Sequence, residues 1–138
     1  MLQQDYIMRL IREFFAALER ALEKKEIESR SEAIHLMYEQ YLGHPYEFFQ
    51  GSSMEEVMEA INQYPEEQRI HRMEMLAELY YVEADMRATP FRAELYRRSL
   101  LLFHFIDSHS GLFSFDRRNK IEKIEKELAV KGEQLNKL

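Results

Sequence analysis

Residues 75–106 read MLAELYYVEADMRATPFRAELYRRSLLLFHFI, and what this stretch does with its apolar side chains decides the fold. Thr89-Pro90 divides it, because proline lacks the amide proton of a helix interior and pushes the residue before it out of helical geometry. Upstream, Ile70, Met73, Ala77, Tyr80 and Ala84 recur at three-to-four spacing on one stripe, with Met75, Leu79, Val82 and Met86 on a second stripe beside it. Downstream, Leu100, Leu101, Leu102, Phe103, Phe105 and Ile106 are apolar around almost the whole circumference. A helix greasy on more than one side belongs inside a bundle or in a subunit contact. The stretch therefore reads as a helix hairpin, with Thr89 capping its second helix and Pro90 at the first helical position.

Working outward toward the N-terminus, Tyr64-Pro65-Glu66-Glu67 starts the hairpin, its acids placed well on the helix dipole. Before it, Ser53 and Glu56 form a capping box for a short helix with Val57, Met58 and Ile61 on its apolar side. Tyr46, Phe48 and Phe49 fall in a connecting segment between Pro45 and Gly51. Three aromatics there are expected either to plug the end of the bundle or to line a pocket. A helix capped by Ser29 or Ser31 carries Ala33, Ile34, Met37, Tyr38, Tyr41 and Leu42 and stops at Gly43. The first helix runs from residue 3 or 4 to about 25, with Ile7, Leu10, Ile11, Phe14, Leu18 and Leu22 on one face.

Toward the C-terminus, the patch Leu112-Phe113-Ser114-Phe115 follows Gly111, and Asp116 is expected to cap a last helix. There Ile121, Ile124, Leu128, Leu135 and Leu138 make a heptad-like seam that Lys131 interrupts and Gly132 weakens. No strand pattern competes. The expectation is an all-α domain over residues 1–138, six helices in antiparallel hairpins, with 116–138 extended or in a subunit contact.

Composition narrows the function classes. A chain of 138 residues supports its own core without staples, and the absence of cysteine excludes disulfides, zinc-thiolate sites and thiol catalysis. Residues 1–86 carry 18 acidic and 8 basic side chains, net −10, whereas 87–138 carry 7 acidic and 11 basic, net +4. A mostly acidic chain suits nucleic acid poorly. The asymmetry reads either as ordinary wet helix faces or as one copy's acidic half docking on another's basic half. Asp5 and Arg9 interrupt what would be a signal-peptide core, and no uncharged run is long enough to span a bilayer, so a cytoplasmic, non-membrane protein is expected.

The opening QQDYIMRLI resembles the first helix of a family of short bacterial proteins without an assigned activity. That resemblance implies a bacterial cytosolic protein and brings no catalytic residue with it. Leu76, Leu79 and Tyr80 followed by Tyr96, Ser99 and Leu100 are similar to the paired helices of tetratricopeptide repeats. This likeness implies a stack of hairpins with a concave face for a peptide or partner helix, although Tyr80 and Arg92 stand where the repeat prefers small residues.

Chemical motifs are scarce. His35 and Glu39 share a helix face, as do Glu67 and His71, and Glu32, His35 and Glu39 are the best approach to a metal set; the second copy of a di-metal motif is missing. No strained serine elbow, phosphate loop or HExxH occurs. His104 lies in an apolar run. Arg97, Arg98, Arg117 and Arg118 form a candidate anion or partner patch. The function expected is that of a non-enzymatic interaction or scaffold protein without cofactor, pairing with itself or another protein. Leu101, Phe103, Phe105, Leu112, Phe113, Phe115, Ile124 and Leu128 are the candidate contact residues. The alternative is a small-ligand protein with a pocket of Tyr46, Phe48, Phe49, Tyr80 and Tyr81.

Overall fold

A computed structural model describes the backbone of residues 2–136 and the side chains of residues 4–129. Among the described residues the protein is all-α, with seven helices and no strand: α1 (Leu2–Leu22), α2 (Ile27–Leu42), α3 (Tyr46–Gly51), α4 (Met54–Ile61), α5 (Glu66–Asp85), α6 (Phe91–His109) and α7 (Phe115–Asn136). None is long and apolar enough to cross a membrane.

The α5–α6 hairpin is the most extensive packing in the chain, and α5 also meets α1, α2 and α4, while α7 lies chiefly on α6. Both stripes of α5 are covered: Met73, Ala77, Tyr80 and Ala84 are buried, and so are Met75, Leu79 and Val82. The two backbones approach closely where the residues are small. The buried Ser99 hydroxyl of α6 donates to the Ala77 carbonyl of α5 at 2.8 Å. Phe14 of α1, Tyr38 of α2, Phe49 of α3 and Ile61 of α4 close the core around this pair.

Several expectations change in detail. Among the described residues there are seven helices rather than six, because the aromatic segment after Pro45 coils into α3. Helix α2 starts at Ile27, ahead of Ser29 and Ser31, with Glu26 in the cap position. The Arg30 guanidinium closes that turn by donating to the Lys24 carbonyl at 2.8 and 3.1 Å. Pro90 is the cap residue of α6 rather than its first helical residue. Helix α7 starts one residue before Asp116, and the Ser114 hydroxyl accepts from the Arg117 amide at 3.2 Å. The expected stop at Gly43 (φ +78°) and the Ser53–Glu56 capping box are both present. Of the last seam, Ile121 and Ile124 are buried and Leu128 packs partly on the core. The side chains of Lys131, Leu135 and Leu138 lie outside the described residues, and Gly132 falls within the described backbone of α7.

Candidate functional site

The features left over once the core is built gather on opposite flanks of α5. Glu83 faces α2, whereas Asp85 pairs with Lys123 of α7 at 3.4 Å. Two residues along a helix lie about 200° apart around its axis.

On the α6–α7 flank, Leu101, Phe105 and His109 succeed one another every fourth residue along the outer ridge of α6, with the Phe105 ring stacked on the His109 imidazole at 3.9 Å. The ridge runs into the 110–114 turn, where Gly111 (φ +69°) supplies a conformation that side chains rarely adopt. Phe113 and Phe115 then meet edge to face at 4.7 Å. Leu101 is 57% exposed, Phe105 40%, Leu112 73%, Phe113 68% and Phe115 76%.

The turn carrying these rings is held from inside. The Arg117 guanidinium is buried and donates to Asp107 Oδ1 and to the Leu112 carbonyl, both at 2.6 Å. The Ser110 hydroxyl accepts from the Leu112 amide at 3.2 Å, and Arg118 adds a second bond to Asp107 at 3.2 Å. Burial alone would raise the Asp107 carboxyl; the hydrogen bonds from the two arginines and their charges outweigh it and hold the group below its usual range. Polar groups thus fix the backbone of the turn while its apolar side chains stand in water.

On the other flank, α2 and α3 border an open groove of about 560 Å³. Its apolar lining comes from Ile27, Leu36, Pro45 and Tyr46, and Glu28, Glu32, Glu39 and Glu47 stand around it. At its base the Tyr46 ring stacks on the His35 imidazole at 3.6 Å, and His35 Nε2 lies 2.6 Å from Glu83 Oε1, a fully buried carboxylate. Arg87 donates to the Tyr46 hydroxyl at 3.1 Å and stands 3.8 Å from Glu83. Burial, and then the Glu83 charge, push the Tyr46 hydroxyl up to about 12 against the opposing effect of Arg87. Ser31 Oγ, 3.4 Å from His35, addresses the same ring nitrogen as Glu83. A serine–histidine–acid relay needs the two partners on different nitrogens, so this constellation is not one. Among the described residues no group of three or more histidine and acidic side chains is placed to hold a metal ion, Glu32, His35 and Glu39 included.

The other candidate residues are dispersed. Phe103 and Ile124 are buried in the chain's own core, which removes them from any outer contact face, and Leu128 is partly covered by it. Of the five aromatics expected around one pocket, Tyr46 alone lines the α2–α3 groove. Phe49 is packed against Tyr38 and Phe48, and the buried Tyr80 hydroxyl donates to the Phe49 carbonyl at 2.9 Å. Tyr81 points to the α7 flank, its ring 5.0 Å beneath the Lys123 ammonium. The four arginines do not converge either. Arg97 pairs with Glu94 on the surface, Arg98 bonds the Phe49 and Ser52 carbonyls at 3.0 and 2.7 Å, and Arg117 and Arg118 share Asp107. His104 is exposed and meets Glu125 of α7 at 3.1 Å.

Sequence reasoning missed Asp107 and Glu83, the acids that organise the two flanks. For Glu83 the available signal was an acid between the two apolar stripes of the helix, flanked in sequence by Val82 and Ala84. No protein-family model, curated protein or solved structure matches this chain.

Proposed function

We propose that the chain is a non-enzymatic helical interaction protein that associates with itself, using the 112–115 loop and the Leu101–Phe105–His109 ridge of α6 as its contact face. What supports the reading most is the pinned loop: Leu112, Phe113 and Phe115 stand exposed on a backbone that Arg117 and Asp107 hold in place. Covering a leucine or phenylalanine completely is worth roughly 1.5–3 kcal/mol, and aromatic anchors commonly dominate contact energetics. A fixed loop also loses little conformational freedom on docking, so less of that gain is offset.

Sedimentation velocity over a concentration series tests the proposal. The wild-type chain is expected to sediment faster as concentration rises, and F113S/F115S to remain a monomer with unchanged helical circular dichroism. A wild-type monomer throughout, or a variant that assembles as the wild type does, overturns it.

A further inference from the structure

We infer that the loop of one copy docks into the α2–α3 groove of a second copy, so that assembly runs head to tail; the inference rests on the self-association proposed above. The groove fits this occupant in shape. It measures about 560 Å³, and a cavity of about 150 Å³ already takes a benzene ring, so two phenylalanine rings and a leucine find room. Its rim offers matching apolar surface, with Ile27 61% and Leu36 64% exposed.

Charge points the same way. Glu28, Glu32, Glu39 and Glu47 border the groove, and among the described residues none of the four has a cationic partner. The loop is flanked by Arg118, half-exposed and paired with Asp107, and by Asp116, which pairs with Lys120. The half of the chain that supplies the loop is net +4, and the half that supplies the groove is net −10. The acidic rim and the net-basic segment that carries the knob are complementary, which steers encounter. Pairing loop against loop would instead leave the groove wet.

One copy cannot serve itself, because groove and loop lie on opposite flanks of α5. The groove faces out from α2, which meets α1, α3 and α5, and the loop joins α6 to α7. A contact between two different surfaces of the same molecule is heterologous: it closes into a ring or extends as a chain.

Complementation between two full-length variants tests this. F113S/F115S removes the knob and keeps the groove; I27D/L36D spoils the groove and keeps the knob, and all four positions are exposed, so both should fold. Each variant alone is expected to sediment as a monomer. Their equimolar mixture is expected to form 1:1 dimers and nothing larger, a doubling of mass, since only one knob and one groove remain. Self-assembly of I27D/L36D at wild-type concentrations overturns the inference, as does a mixture that stays monomeric while the wild type assembles. In both outcomes the loop still mediates association, whereas a monomeric wild type defeats self-association itself.

Discussion

Asp107, near the end of α6, accepts a 2.6 Å hydrogen bond from Nε of Arg117 in the first turn of α7, and the same guanidinium reaches back to the Leu112 carbonyl. The pair clamps the base of the loop. Because Arg117 is buried, loss of the Asp107 charge leaves an uncompensated cation, and D107N is expected to cost about 1.5–3 kcal/mol at neutral pH. The pH dependence has a definite sign. The folded Asp107 carboxyl lies below its ordinary value of 3.8. Its contribution is therefore complete above that value and is lost as pH falls through the lowered one. Urea unfolding across an acid series should show this loss in the wild type and not in D107N; parallel acid limbs would contradict the assignment.

The second clamp joins α2 to α5. Glu83 is fully buried, with His35 at 2.6 Å and Arg87 at 3.8 Å from the same oxygen. H35A exposes that carboxylate to a site with one distant cation and is expected to cost about 3 kcal/mol. E83Q removes the charge that needs compensation and should cost less, about 1 kcal/mol. Urea midpoints in the reverse order would show that the imidazole is not compensating a charge.

Arg98 ties α6 to the C-terminal end of α3 through two nitrogens on two carbonyls, Phe49 and Ser52. Lysine carries the charge without the planar fork. R98K is expected to lower stability by about 1–2 kcal/mol and to raise amide hydrogen exchange in residues 46–52 above that of the rest of the chain. Exchange that stays unchanged in that segment would remove Arg98 as its anchor.

The parts of the fold legible in the sequence are those set by local chemistry. Gly43 stops α2 because a left-handed residue is needed there, and Ser53 with Glu56 starts α4 because both orphan amides find oxygens within four residues. Helix α3 was hidden because six residues give a hydrophobic period too little length to repeat. From Leu100 to Ile106 the sequence is greasy around almost the whole circumference, so periodicity could not separate the buried Leu102, Phe103 and Ile106 from the exposed Leu101 and Phe105; only the neighbouring helices do that. The two clamps differ in visibility. Asp107 and Arg117 are ten residues apart across one turn, while His35 and Glu83 are separated by 48 residues, and no local pattern connects them.

The claim on which the rest depends is that another copy of the chain covers the 112–115 loop in solution. The chain has no cysteine, so H109C introduces a single thiol beside Phe105 on the ridge leading to that loop. The direct measurement is the rate at which a trace of reduced H109C reacts with a maleimide as thiol-free wild-type protein is added. The expected result is a saturable slowing, as wild-type copies cover the site. A rate that does not change at any wild-type concentration would contradict the claim.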